Sequence, residues 1–306
     1  MKLGSLYLLS AMILVVGCAT SDKSADSSAV KTVVTVAKTA DASAVESIKP
    51  VGEELIVFSS NRSGPWRIWT IKPDGKDKKQ IIKGDKDEEH DVDPNFSPCG
   101  TKVVFTSTRG GKSGVWIANI DGTEVKRVCD GRQAEFSSDG KSIAFVKNDK
   151  VFVRTLADGK EKQIVPDKYK ICAGPSWSPD DKTIAFACRW DAGNALFTVP
   201  AAGGAVTKVY DKKGACEPHW SPAGDKLVYE TETHICTIQS DGLKNRLITY
   251  YGGVQRYGQW SRDGKRLVYC QGVTEKGPWE LYIVPSGGGA PVKITEEGSD
   301  MNPDWR

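Results

Sequence analysis

The chain has 306 residues, is 39% apolar and carries 42 basic against 39 acidic side chains, a net charge of +3. That apolar content supports a globular core. The near-balance of charge, with no long run of one sign, excludes the electrostatic footprint of a nucleic-acid or membrane-surface binder.

The first 18 residues read as an export signal. Lys2 supplies the positive start, Leu3 to Val16 is almost wholly apolar, and Val15-Val16-Gly17-Cys18 closes the segment with small residues. About 14 apolar residues fall short of the roughly 20 needed to span a bilayer. The ending resembles a bacterial lipobox, which implies that Cys18 becomes the lipid-bearing first residue of the mature chain. By the same resemblance, Ala19 rather than Asp at the next position points to an outer-membrane or surface lipoprotein, held to the membrane by lipid alone. Residues 19–50 are rich in Ser, Ala, Asp, Thr and Val and show no sustained apolar period, so they read as a flexible tether. A coil of about 32 residues reaches roughly 30 Å.

From residue 51 onward one pattern recurs. An aromatic followed by Ser and a turn cluster stands at Phe96-Ser97-Pro98, Phe136-Ser137-Ser138, Trp177-Ser178-Pro179, Trp220-Ser221-Pro222 and Trp260-Ser261-Arg262, with a last partial copy at Asn302-Pro303-Asp304-Trp305. The aromatics are 40, 41, 43, 40 and 45 residues apart, a period that marks an array or propeller. Each period continues with a β-rich run such as Val103-Val104-Phe105 or Ile184-Ala185-Phe186. A second run follows, such as Val115-Trp116-Ile117 or Leu281-Tyr282-Ile283, and then an Asp-Gly or Gly-Gly turn. Four short antiparallel strands per period make one propeller blade.

Residues 54–84 hold three strands of a blade with no aromatic-Ser unit before them, while Met301 to Arg306 has the pattern of a first strand with nothing after it. The expectation is an all-β, six-bladed propeller over residues 51–306, in which the carboxyl-terminal strand pairs with residues 54–59 and closes the ring. Closure removes exposed sheet edges, and a monomer is the expected state.

The repeated units resemble the propeller repeats of the TolB family, whose pattern runs Pro-x-Trp-Ser-Pro-Asp-Gly-x-x-Ile-Ala-Phe. Gly174-Pro175-Ser176-Trp177-Ser178-Pro179-Asp180-Asp181-Lys182-Thr183-Ile184-Ala185-Phe186 carries it most fully. The resemblance covers residues 54–306. It implies the propeller fold and a scaffold role in binding an envelope protein or peptide. The TolB family's amino-terminal α/β domain has no counterpart in residues 19–50.

Strand order divides the loops between two faces. The Ser-Pro-Asp-Gly and Asp-Gly turns share one. The other, here face one, carries the more variable loops, where binding residues concentrate on a rigid scaffold. Entries to the first strands place His90, Asp91, Asp93, Arg132, Gln133, Lys170, Glu217, His219, Gln255, Arg256, Tyr257, Asp300 and Asn302 toward the central mouth of face one. Outer loops add Arg62, Arg109, Arg189, Trp66, Trp190 and Trp279. Mixed charge rimmed by Trp and Arg has the composition of a protein-docking surface. The alternatives are a solvated rim with packed Trp residues, or a carbohydrate-binding or lyase-type propeller acting at the central mouth.

Catalysis is not expected. No Gly-x-Ser-x-Gly turn occurs. The three histidines, His90, His219 and His234, lack metal-ligand spacing, so neither metal nor other cofactor is expected, although His90 and His219 with Asp93 or Glu217 could approach the mouth. Of the seven cysteines besides Cys18, Cys172 and Cys188 fall nearly opposite each other in a hairpin and form the candidate disulfide, the alternative being that both are small buried residues.

Overall fold

The computed structural model describes residues 54–306 apart from 85, 191, 192, 212, 213 and 251. The signal segment, Cys18 and the tether lie outside the described residues. Among the described residues twenty-four strands form six four-stranded antiparallel sheets, the six blades expected from the repeat.

Blade 1 is made of Ile56–Ser60, Arg67–Ile71 and Lys79–Gln80, with Asp300–Trp305 as its inner strand. The inner strands of blades 2 to 6 are Asp91–Phe96, Arg132–Phe136, Lys170–Trp177, Cys216–Trp220 and Val254–Trp260. Ring closure follows the predicted pairing. Ile56 lies opposite Trp305 and Ser60 opposite Asp300, and Leu55 and Arg306 exchange backbone hydrogen bonds of 2.7 and 2.8 Å.

The second strand of each blade is apolar on both sides because it is sandwiched between neighbouring blades. Val103, Val104 and Phe105 are fully buried, as are Ile143, Ala144 and Phe145. β-branched and aromatic residues suit such a doubly covered strand. Alternate residues then serve opposite inter-blade cores, so that Phe105 packs with Val57 and Phe96, and Val104 with Ala134 and Phe145.

The Ser of the repeat locks its own turn. Ser137 Oγ donates to Asp139 Oδ1 at 2.7 Å and accepts from Ser142 N at 3.0 Å, while Lys141 N donates to the same carboxylate oxygen. Ser178 with Asp180 and Ser261 with Asp263 repeat the arrangement. The aromatic reaches sideways instead. Trp177 Nε1 donates to the Glu135 carbonyl at 3.2 Å and Trp260 Nε1 to the His219 carbonyl at 3.1 Å, tying each blade to the one before. Phe96, Phe136, Trp177, Trp260 and Trp305 are all buried, as inter-blade packing requires.

Cys172 and Cys188 are free thiols in the structure, buried against Trp177 and Phe186. The flanking register pairs Ala173 with Ala187, so the two thiols lie almost opposite each other across the hairpin. The neighbouring thiol and burial push Cys188 far above the usual thiol range, which makes it unreactive as a nucleophile.

Candidate functional site: the central channel

Each inner strand carries a bulge at one fixed place. Three residues before the repeat aromatic, the backbone turns left-handed at Asp93 (φ 53°), Gln133 (50°), Gly174 (54°), Glu217 (45°), Tyr257 (56°) and Asn302 (51°). The ladder register shifts at this point in every blade. An added residue in the strand forces such a conformation. Pro follows at 94, 175, 218 and 303, a position where the bulge leaves no ladder hydrogen bond to donate.

The six bulge residues form one layer around the central axis. Two residues further on, Asn95, Glu135, Ser176, His219, Gln259 and Asp304 form a second, because alternate strand residues share a face. Both layers border the channel. At the bulge layer it narrows to a neck with about 40 Å³ of free volume. Beyond the second layer it opens into a funnel of about 400 Å³ on the Ser-Pro face, bordered by the edges of all six repeat aromatics.

Hydrogen bonds hold the second layer to its neighbours. Phe96 N donates to Asp304 Oδ2 at 2.7 Å, Trp177 N to Glu135 Oε1 at 2.9 Å and Trp220 N to Ser176 Oγ at 3.3 Å, so each side chain satisfies a backbone donor of the next blade. His219 Nδ1 lies 2.8 Å from Gln259 Nε2 and 3.5 Å from Glu135 Oε2. In the first layer Gln133 Nε2 donates to Glu217 Oε1 at 3.0 Å. Asp93 Oδ2 is buried without a hydrogen-bond partner.

Four carboxylates, Asp93, Glu135, Glu217 and Asp304, thus share the channel with one imidazole. Burial pushes Asp93 up to about 6, against the Thr106 hydroxyl and Arg132. Burial and then the nearby Glu230 push Glu217 up to about 7. Burial carries Asp304 to about 6, opposed by the Phe96 amide. His219 moves the other way from the usual buried histidine. Burial works against its charged form, but Glu135, Glu217 and Asp304 outweigh it and the net shift is upward. Charged forms are costly here unless paired.

The channel gathers Asp93, Gln133, Glu217, His219, Tyr257 and Asn302 of the predicted residues. His219 sits in the second layer, toward the Ser-Pro face rather than face one. Several others are withdrawn into packing. Asp91 is 0% exposed and pairs with Arg109 at 2.9 Å, and Asp300 pairs with Arg62 at 2.6 Å. Trp66 and Trp279, expected to rim the mouth, are buried, at 8% and 6% exposed. Gln255 is fully buried. His90 Nδ1 accepts from Trp66 N at 3.3 Å. Arg132 pairs with Asp149 at 3.0 Å and Arg256 donates to the Thr231 carbonyl at 2.8 Å. Lys170 is exposed. The side chain of Trp190 lies outside the described residues. Sequence reasoning missed Asn95, Glu135, Ser176, Gln259 and Asp304, although every residue just before a repeat aromatic is polar.

A profile of the TolB beta propeller domain matches residues 26–152 and 132–306. The chain belongs to this family. Among sequence relatives, the Tol-Pal system protein TolB of Orientia tsutsugamushi (strain Boryong) is 34% identical over 70 residues, covering 21% of this chain and 15% of that protein. Dipeptidyl-peptidase 5 of Porphyromonas endodontalis is 28% identical over 143 residues, 43% of this chain and 18% of that one. The chain therefore spans under a fifth of the length of either. TolB from Acinetobacter baumannii superposes with a TM-score of 0.70 at 18% identity, covering 82% of this chain and 66% of that one. An oligogalacturonate lyase in complex with manganese superposes less closely, with a TM-score of 0.51 at 16% identity over 83% of this chain and 75% of that one. At such identities the TolB beta propeller fold is what is shared. The channel does not fit a manganese site: among the described residues no three His, Cys, Asp or Glu side chains converge to hold a metal ion.

Proposed function

We propose that the chain is an exported, lipid-anchored propeller of the bacterial envelope that binds a protein or peptide segment at its central channel and catalyses no reaction. Cys18 is the lipid attachment point in this reading, and residues 19–50 are the tether that holds the propeller away from the outer membrane, on its periplasmic side or at the cell surface. The protein acts as a monomer.

One observation carries the reading: the axial funnel of about 400 Å³, lined by residues from all six blades. Its rim keeps Pro98, Ser138, Pro179, Pro222 and Arg262 exposed. Face one offers less to a partner, since Asp91, Asp300, Trp66 and Trp279 are buried. A concave rigid site with polar groups converging at its base suits an extended segment better than a flat surface does. The TolB proteins among the relatives are named as members of a Tol-Pal system, which agrees with an interaction role.

In-cell photo-crosslinking tests it. A photoreactive residue at Ser138 or Pro222 should yield a discrete protein adduct, and one at Lys170 should yield less. Adducts from Lys170 alone would move the site to face one, and a charge-reversed Arg132 and Arg256 variant that lost binding would agree with that. Absence of adducts from both faces would sink the interaction role.

A further inference from the structure

A second cavity, of about 550 Å³, lies between blades 2 and 3 on the Ser-Pro side and away from the axis. Its floor is the top of an inter-blade core, formed by Ile117, Val128, Phe136 and Leu156. Its rim is basic. Lys102, Lys126, Arg127 and Arg154 border it, against one carboxylate, Asp139, which lies 3.3 Å from Lys141 Nζ. Arg127 pairs with Asp130 and Arg154 with Glu161. Lys102 Nζ donates only to the neutral Asn119 amide oxygen, at 2.7 Å. Among the described residues neither Lys102 nor Lys126 has a carboxylate at salt-bridge distance.

The local sequence explains the imbalance. In the other four Ser-turns a carboxylate accepts the Ser hydroxyl, at Asp139, Asp180, Asp225 and Asp263. In blade 2 that place is taken by Cys99, whose sulfur lies 3.4 Å from Ser97 Oγ and 3.0 Å from Thr101 Oγ1. Cys99 stands two residues after Ser97, where Asp139, Asp180 and Asp263 stand in their own turns, so the rim of this cavity has one carboxylate fewer than an Asp there would give it.

We propose that the groove between blades 2 and 3 is a binding site for an organic anion with an apolar body, its hydrocarbon on Phe136 and Leu156 and its acid group between Lys102 and Lys126. The volume falls in the range of small-molecule sites, and an apolar floor with few charged groups is their usual make-up. Charge complementarity selects the anion: a neutral hydrocarbon would leave the two lysines without a counter-charge, and a cation would meet four like charges at the rim. This site adjoins the axial funnel, with which it shares Ser97, Pro98 and Phe136, but it does not depend on the role proposed for the funnel.

Cys99 gives the test a position-specific reporter. It is the exposed cysteine among the described residues, and the hydroxyls of Ser97 and Thr101 bring its thiol down to about 7, so it alkylates at neutral pH. With the full chain, anilinonaphthalene sulfonate should bind about tenfold or more tighter than uncharged phenylnaphthylamine, a difference of about 1.4 kcal/mol. At saturation it should slow iodoacetamide labelling of Cys99, read by peptide mass mapping, about fivefold or more. Lys126→Glu with Arg127→Glu, both exposed positions, should abolish the preference for the sulfonate with an unchanged melting temperature. The site is refuted if the sulfonate does not bind, if Cys99 labels at the same rate with the probe bound, or if the double variant keeps the preference.

Discussion

Gln133 and Glu217 meet across the channel at 3.0 Å although they belong to blades 3 and 5. They can do so because blade 4 places Gly174 between them. A Cβ at Gly174 would lie 2.5 Å from Glu217 Oε2 and 3.0 Å from Glu217 Cα. Gly174→Ala would also hold an L-residue at φ +54°, which costs about 1–2 kcal/mol. For a propeller of this size each kcal/mol corresponds to about 2–4 °C. The variant should melt about 3–6 °C below the parent by calorimetry, and adding Glu217→Ala should recover part of the loss. An unchanged melting temperature in Gly174→Ala would show that the neck is not packed as described.

The channel carboxylates make the fold more stable in acid. Glu217 titrates near 7 in the folded protein against an ordinary value of 4.5, so the folded state holds its proton more tightly than the unfolded chain does. The associated stability is complete below about pH 4.5 and is lost as pH rises through about 7. Asp93 and Asp304 lose theirs through about pH 6, and the raised His219 acts in the same direction. Each tenfold gain in proton affinity on folding corresponds to about 1.4 kcal/mol. Glu217→Gln keeps an acceptor for Gln133 and removes the titration. Its melting temperature should fall less between about pH 5 and pH 8 than that of the parent; parallel curves would place the pH dependence elsewhere.

The carboxyl terminus closes the ring. Trp305 is 5% exposed, the Arg266 guanidinium stacks over it at 4.6 Å, and Arg266 also pairs with Glu54 at 2.7 Å. Trp305→Ala alone should cost about 3–5 kcal/mol, and a chain ending at Asp300 should melt about 10 °C or more below the parent. Melting within about 2 °C of it would mean that closure contributes little to stability.

Asp91 and Arg109 form a buried pair beside Arg67. Removing Arg109 leaves the buried Asp91 with only the longer contact to Arg67, 3.8 Å away, so Arg109→Met should cost up to about 3–5 kcal/mol in urea unfolding, and adding Asp91→Asn should recover part of it. If the two losses were simply additive, the pair would not be coupled.

The blade number, the strand order and the terminal clasp were all legible in the sequence, because they rest on local signals: period-two alternation, turn residues and a repeat near forty. The two channel layers were half legible. Asp93, Gln133, Glu217, Tyr257 and Asn302 emerged as polar strand entries, while Glu135 and Asp304 did not, although both stand just before a repeat aromatic. What alternation alone could not reveal was the bulge, which lifts the residue three before the aromatic toward the axis.

Which charges remain available was decided only by the tertiary structure. Asp91 and Asp300 look like Asp93 in the sequence, yet they are neutralised by Arg109 and Arg62, which arrive from separate strands and loops. Trp66 and Trp279 share a Gly-Pro-Trp signature suited to an exposed rim, and packing buries them both. Likewise Cys99 reads as one departure from a turn motif until the fold sets it beside Lys102 and Lys126. Local pattern dictates the blade because its hydrogen bonds and alternation are short-range. Site chemistry depends on desolvation and on charges brought together from distant segments, which only the closed ring specifies.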